Sequence, residues 1–132
     1  KKDFNGSWKL NLRESDIPPI TKSQTVSIDT DGIYINMIEE IINDKGECLN
    51  ISFNGKLDGT DYPVKGTPLA DTESYRLLSP NVIEGTAKKD GKIIFKETAV
   101  LSDSGESIKV TFFSFDKDGN KQTSIGLFER VE

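Results

Sequence analysis

The chain has 132 residues, which fits one domain, and a formal net charge of −5. The acidic balance argues against a nucleic-acid or anionic-membrane binder, because both kinds of partner attract basic surfaces. The sequence has no histidine and one cysteine, which excludes Ser–His–Asp and Cys–His catalysis, histidine metal sites and an internal disulfide. We therefore expect one domain over residues 1–132 with no metal and no other cofactor.

The residue usage favours strands over helices. Fourteen isoleucines, six valines and ten threonines stand against three alanines. β-Branched side chains pack well on a pleated sheet, whereas a helical domain normally contains more alanine. The composition therefore predicts an all-β chain.

The first predicted strand lies near the amino terminus, where Trp8, Leu10 and Leu12 alternate with polar residues and share one face. A long connection is predicted after it, from Arg13 to Lys22. This segment contains Pro18–Pro19, and a proline pair stops strands and favours extended polyproline geometry. We expect the connection to lie at one end of the fold, beside any opening.

The stretch from Ile33 to Ile42 is apolar on both faces and could be read as a helix or as a strand. Its Ile-Tyr-Ile content and the Asp-Gly and Lys-Gly turns on either side favour a strand. In the next predicted strand, Ile51 and Phe53 face one way and Cys48 faces the other. We expect Cys48 to be an inert small residue, because no histidine can activate it.

Glu97 interrupts the apolar face of a later predicted strand, which Ile93, Phe95, Ala99 and Leu101 otherwise form. A glutamate inside a barrel would be desolvated, its pKa would rise, and it could bind or protonate a ligand. The alternative is a solvent-exposed position at the end of the strand. Other carboxylates could pair with it for acid–base work, but the sequence does not place two of them together; they include Glu39, Glu40 and Glu84.

Turn signals separate the predicted strands at intervals of about 8–15 residues. They include Thr30–Asp31–Gly32, Asn43–Asp44–Lys45–Gly46, Lys89–Asp90–Gly91 and Asp118–Gly119–Asn120. Such steps supply the positive φ angles of tight hairpins. The pattern predicts a single up-and-down antiparallel β-barrel of about eight to ten strands. Residues 116–120 also resemble the start of a calcium loop, but a hairpin turn is favoured because the later ligand positions hold Lys121 and Leu127.

The two ends of the chain resemble the lipocalins and fatty-acid-binding proteins. Those families share a Gly-x-Trp on the first strand and a late arginine that packs across the tryptophan, and Gly6, Trp8 and Arg130 match this signature. The resemblance implies a structural role for the three residues. The Arg13–Thr21 segment is too short and too rich in proline for the helix pair of fatty-acid-binding proteins, and their Arg-x-Tyr pair is missing from the last strand. We therefore expect no lid helix pair, and we do not carry fatty-acid binding over.

The whole chain also resembles a bacterial lipocalin-like (calycin-type) family, mostly uncharacterised. Three segments carry this resemblance: residues 8–11 (Trp-Lys-Leu-Asn), 61–66 (Asp-Tyr-Pro-Val-Lys-Gly) and 83–92 (Ile-Glu-Gly-Thr-Ala-Lys-Lys-Asp-Gly-Lys). Members look like secreted or periplasmic proteins, so the resemblance implies an extracytoplasmic location, although no signal peptide is visible in this chain.

A barrel of this size predicts non-enzymatic binding of a small, largely apolar ligand in its interior. The alternatives are a small barrel enzyme of the isomerase or cyclase type that uses Tyr, Glu or Arg, and a protein-interaction module with a filled core. We expect a monomer or a weak homodimer, with no membrane span and no catalytic or metal-binding residue. The candidate ligand-binding residues are Tyr34, Phe53, Tyr75, Arg76, Phe95, Glu97 and Phe112. The tyrosines combine an apolar body with a hydroxyl, but each could instead be a cross-strand packing residue.

Overall fold

The computed structural model describes residues 3–17 and 21–131. Its ten strands are β1 (Gly6–Leu10), β2 (Thr21–Thr30), β3 (Tyr34–Asn43), β4 (Cys48–Lys56), β5 (Tyr62–Lys65), β6 (Thr72–Ser79), β7 (Val82–Lys89), β8 (Lys92–Leu101), β9 (Ser107–Phe115) and β10 (Lys121–Val131). Within these described ranges the helical structure is one 3₁₀ turn at Leu12–Glu14, and no helix is long and apolar enough to span a bilayer.

Each strand pairs antiparallel with the next along the chain, and β1 also pairs with β10, so the sheet closes on itself. Trp8 of β1 lies opposite Val26 of β2 on one side and Arg130 of β10 on the other. This arrangement confirms the predicted all-β, up-and-down antiparallel barrel, and the strand number lies at the upper end of the expected range. The stretch that could have been a helix is strand β3.

Short turns with local polar contacts join the strands. Asp90 and Gly91 both have positive φ angles, 52° and 78°, as the tight hairpin between β7 and β8 requires. Between β9 and β10, Asp116 Oδ1 accepts hydrogen bonds from the backbone N–H groups of Asp118 and Asn120. Residues 116–120 therefore form a side-chain-stabilised turn.

Two local expectations about side-chain facing were wrong. Leu12 is 42% exposed, because the strand ends before it and the chain turns into the 3₁₀ segment. Ile93 is exposed rather than inward, because the register between β7 and β8 shifts between Ala87 and Lys88, and a bulge reverses the facing of the residues before it. Pro18–Pro19, in the predicted long connection, lie outside the described residues.

One end of the barrel is closed by Trp8, which is only 1% exposed. Its indole Nε1 donates a hydrogen bond to the carbonyl oxygen of Phe4 at 3.0 Å. The guanidinium carbon of Arg130 lies 4.3 Å from the centre of a Trp8 ring, within cation–π distance. Gly6 has a φ of +126°, and a Cβ there would lie 2.7 Å from Arg130 Nη1. The structure thus brings Gly6, Trp8 and Arg130 together.

The guanidinium of Arg130, on β10, forms hydrogen bonds with the amino-terminal segment and with the loop between β8 and β9 at the closed end. Its Nη2 donates to the carbonyl oxygen of Asp3 at 2.9 Å, and its Nη1 donates to that of Asn5. Nε and Nη2 both donate to the carbonyl oxygen of Gly105, in the loop between β8 and β9. Only a planar, multi-donor cation can stack on an indole and satisfy several carbonyls at once.

We expect Arg130→Lys to lower the free energy of unfolding by roughly 2–4 kcal/mol, because lysine keeps the charge but leaves half-buried carbonyls without a donor. Denaturant titration measures this difference. The matched control is Arg13→Lys, at an exposed site, which should change stability by less than about 0.5 kcal/mol. Equal effects of the two substitutions would show that the arginine geometry at the closed end is unimportant.

Candidate functional site

The interior of the barrel holds a cavity of about 360 Å³. Most of its wall is apolar, and the strand residues alternate so that every second side chain faces it. The residues that line it are Phe4, Trp8, Gln24, Val26, Ile28, Ile35, Met37, Glu39, Ile41, Ile51, Thr67, Leu69, Ala70, Glu73, Tyr75, Ile83, Phe95, Glu97, Ala99, Ile108, Val110, Phe112, Ser114 and Phe128.

The cavity runs from the closed end towards the loop between β5 and β6. Phe4 and Trp8 form its floor, and Thr67, Leu69 and Ala70 of the loop border the other end. Leu69 is 68% exposed although it also lines the cavity. This loop therefore lies where the cavity meets solvent.

Period-two alternation places glutamates at inward positions. On β3, Glu39 lies between the inward-facing Met37 and Ile41. On β8, Glu97 lies between Phe95 and Ala99, which line the same cavity. These half-buried carboxyls consequently share the cavity with apolar side chains.

Tyr75 links two carboxyls inside the cavity. Its hydroxyl donates to Oε1 of Glu73, two residues earlier on β6, at 2.8 Å, and it lies 3.3 Å from Oε1 of Glu97. Gly85 on β7 makes room for this contact, because a Cβ there would lie 2.7 Å from the Tyr75 ring and 3.0 Å from Cγ of Glu97. The absence of a side chain at Gly85 thus lets Tyr75 and Glu97 meet.

The third carboxyl, that of Glu39, has a neutral partner. Nε2 of Gln24 on the neighbouring strand β2 donates to Glu39 Oε2 at 2.7 Å. Glu39 also interacts electrostatically with Glu73, Tyr75 and Glu97. Carboxyls from β3, β6 and β8 therefore converge on one region of the cavity, which we call the glutamate cluster (Glu39, Glu73 and Glu97).

Burial raises the pKa of every member of the glutamate cluster. It lifts the pKa of Glu97 from 4.5 to about 8, with further contributions from the charges of Glu73 and Glu39. Burial lifts the pKa of Glu39 to about 7 against the opposing hydrogen bond from Gln24. The pKa of Glu73 is also raised by burial, with the hydrogen bond from Tyr75 opposing the shift. Each carboxyl disfavours its charged form because water is replaced by apolar surroundings.

The Tyr75 hydroxyl is a hydrogen-bond donor to the glutamate cluster. Burial, and then the nearby carboxylates, raise the pKa of Tyr75 well above 10, so the hydroxyl keeps its proton. The hydroxyl donates its hydrogen bond to Glu73 in the shorter of its two contacts. The same hydroxyl lies 3.3 Å from Oε1 of Glu97. Because a hydroxyl has one proton, Tyr75 donates fully to one of the two carboxyls at a time.

Four of the residues proposed from the sequence line the cavity: Tyr75, Phe95, Glu97 and Phe112. The rings of Phe95 and Phe112 meet edge to face, with centres 6.3 Å apart. Phe53 is buried behind the wall, and its ring packs edge to face on Tyr75 at 4.9 Å. Its position supports the orientation of Tyr75.

The other two proposed residues, Tyr34 and Arg76, lie outside the cavity. Tyr34 is 51% exposed on the outer face of β3, where the ammonium nitrogen of Lys56 lies 5.6 Å from its ring centre. Arg76 is exposed on β6 between the inward-facing Tyr75 and Leu77, with its guanidinium beside Gly59. Both point away from the interior because their neighbours along the strand occupy the inward positions.

Glu73 and Gln24 line the cavity but were not predicted as site residues. Glu73 stands two positions before Tyr75, so a period-two reading that began from Tyr75 would have placed it on the same face. Gln24 carries no such signal, since a polar residue beside the predicted long connection is typical of a strand end. Glu39 was named only as one of several carboxylates that could pair.

Comparison with protein-family models gives no match for this chain, and comparison with curated proteins gives none either. The fold is a closed ten-stranded antiparallel barrel, which is consistent with a calycin-like fold. Membership of a particular lipocalin-like family remains a proposal.

We expect the free energy of unfolding to fall as the pH rises from about 5 to about 9. In the unfolded chain the cluster glutamates titrate near 4.5, whereas in the folded protein the pKa values of Glu39 and Glu97 are about 7 and about 8. The folded state therefore binds more protons across this window, so its stability is greatest on the acidic side. Denaturant titrations at several pH values measure the slope.

Glu97→Gln should flatten this slope and make the protein more stable than the unchanged chain above pH 8. Glu84→Gln, on the exposed face of β7, is the control and should leave the slope unaltered. Backbone N–H donors lower the pKa of four aspartates below 3.8, so these do not titrate within the window: Asp31, Asp58, Asp71 and Asp116. A slope that Glu97→Gln does not change would contradict the burial of this carboxyl.

Proposed function

We propose that this protein binds a small, largely apolar ligand in the barrel interior without transforming it. The observation that carries this proposal is the cavity of about 360 Å³, which has a mainly apolar wall and a compact polar cluster. Binding sites for small molecules typically have roughly 300–1,000 Å³, apolar walls and a few placed polar groups. The cavity matches this description in size and in chemistry.

The apolar wall supplies the driving force for such binding. Side chains such as Val26, Met37 and Val110 border the empty space, and burying apolar ligand surface against them is favourable by about 25 cal/mol per Å². A protein-interaction module with a filled core would instead pack its interior to crystal-like density. The cavity thus favours the ligand-binding function over the filled-core alternative.

A second candidate function, a small barrel enzyme of the isomerase or cyclase type, is favoured by one observation. Tyr75 lies between Glu73 and Glu97 inside the cavity, and the pKa of Glu97 is raised to about 8. A carboxyl that titrates near neutrality can act as a general acid or base. Glu97→Gln preserves the side-chain shape but removes a proton-transfer group, so loss of turnover of a bound substrate with retained binding of a neutral ligand would indicate catalysis.

The resemblance to a bacterial lipocalin-like family also supports an extracytoplasmic location, which we include in the proposal. Segments 8–11, 61–66 and 83–92 carry this resemblance. It concerns the fold and the cellular compartment and does not identify a ligand.

Native mass spectrometry of the gently purified protein should detect a co-purifying small apolar molecule or, after its removal, binding of the neutral dye Nile red. Ala99→Phe adds a ring inside the cavity and should weaken dye binding about tenfold or more. Val100→Phe is the matched control, because Val100 is the next residue of β8 and is exposed on the outer face. It should leave dye affinity unchanged.

Circular dichroism and denaturant titration would establish that both variants keep the barrel fold. If the unchanged protein retains no molecule and binds no dye, the ligand-binding proposal fails. If both variants bind the dye as tightly as the unchanged protein, dye binding takes place outside the cavity and the proposal loses its site.

A further inference from the structure

The ionisable groups of the cavity wall are all acidic. The three carboxyls of the glutamate cluster and the hydroxyl of Tyr75 line it, and the described residues that form the wall include no lysine and no arginine. The cluster lies in a mainly apolar cavity of about 360 Å³, so the same region offers both acidic groups and apolar surface. A ligand that fits this cavity needs a group that binds the carboxyls and a part that packs against the apolar wall.

The protein pairs acidic groups with cations elsewhere but not here. On the outside, Lys88 Nζ lies 2.8 Å from Asp61 Oδ2, and Lys89 Nζ lies 3.2 Å from Asp71 Oδ1. Inside, the described partners of the cluster are neutral: the amide of Gln24 and the hydroxyl of Tyr75. The interior thus holds three carboxyls for which the described wall provides no cationic partner.

We propose that the ligand of this cavity is an apolar molecule with a protonated amine, whose ammonium group binds among Glu39, Glu73 and Glu97. The inference rests on the proposed ligand-binding function and specifies its ligand class. An ammonium group offers up to three N–H donors, and charge-assisted hydrogen bonds to carboxylates are stronger than neutral ones. The hydrocarbon part of the ligand would pack against Val26, Met37 and similar side chains.

A metal ion fits this region less well than an organic cation. The described residues contain no group of three acidic or cysteine side chains arranged to hold a metal. Tyr75 links Glu73 of β6 to Glu97 of β8, whereas Glu39 of β3 has its own partner in Gln24.

Binding of a cation should also release protons from the protein. Glu97 faces Glu73 and Tyr75 from β6, Glu39 from β3, Gly85 from β7 and Phe112 from β9. Its charged form therefore meets acidic or neutral groups until a cationic ligand arrives. The ammonium group then favours the ionised carboxyls, and their protons leave to solvent. A carboxylate ligand has the opposite effect and is repelled.

Isothermal titration calorimetry with three probes of one skeleton tests the inference: n-octylamine, n-octanol and n-octanoate at pH 7. We expect the amine to bind about tenfold or more tightly than the alcohol, and the carboxylate to bind most weakly. The amine titration should also give different heats in phosphate and in Tris buffer, because protons released by the protein are taken up by the buffer. The alcohol titration should give the same heat in both.

Two glutamine variants locate the effect. Glu39→Gln and Glu97→Gln keep the side-chain shape but remove the charge, so each should lower amine affinity about tenfold while leaving alcohol affinity unchanged. Glu40→Gln and Glu84→Gln are the matched controls, since both side chains are exposed on the outer face of the barrel. They should leave the affinity for the amine and the alcohol unchanged.

The outcomes separate this inference from the proposed function. Equal binding of amine and alcohol, or an amine preference that survives both cluster variants, would overturn the amine assignment while leaving cavity binding in place. Failure of all three probes and of Nile red would remove the proposed function itself. An amine preference that depends on Glu39 and Glu97, with proton release, would support both.

Discussion

The closure of the sheet between β1 and β10 is the constraint on which the rest of the molecule depends. Because β1 pairs with both β2 and β10, the inward side chains of the strands share one interior, which meets solvent near the loop between β5 and β6. A polar side chain that lies among the apolar side chains of this interior loses part of its hydration. The raised pKa values of Glu39 and Glu97 and the apolar character of the cavity both follow from this geometry.

Buried polar groups have different partners at the closed end of the barrel and in the cavity. At the closed end, the Arg130 guanidinium stacks on Trp8 and donates to nearby backbone carbonyls, so charge and hydrogen bonds support the fold. In the cavity, the glutamate cluster has neutral partners and opposes stability as the carboxyls ionise. A chain shaped by stability alone would carry apolar side chains at these positions. This loss of folding stability is consistent with a role of the cluster in ligand binding.

The local pattern predicted much of the fold. Turn residues such as Asp90 and Gly91 specify hairpins through their backbone preferences, and alternation assigned Phe95, Ala99 and Leu101 to one face. The prediction of side-chain facing failed for Ile93, where one extra residue in the strand breaks the period-two alternation. A bulge beside Ala87 reversed the facing of Ile93, and such a shift depends on the neighbouring strand, which the local sequence does not reveal.

The candidate site was predictable only in part. The interruption of an apolar face at Glu97 is visible in one strand, but that strand alone left both an interior position and a solvent-exposed strand end open. Tyr34 and Arg76 carry suitable chemistry but face outwards, because residue type alone does not specify a face. Glu73 was missed although it lies two positions before Tyr75 on the same strand, because the inward facing of Tyr75 was itself not known from the sequence.

The sequence by itself determined that this is an acidic, histidine-free, all-β chain whose strands follow one another through tight turns. Composition and period-two alternation are local properties, so they can be read without knowing which strands meet. Only the tertiary structure decided that Glu39, Glu73 and Glu97 share one cavity, with Tyr75 between two of them. That juxtaposition depends on strand register and barrel closure, which bring together residues far apart in the chain and exclude the water that would otherwise solvate them.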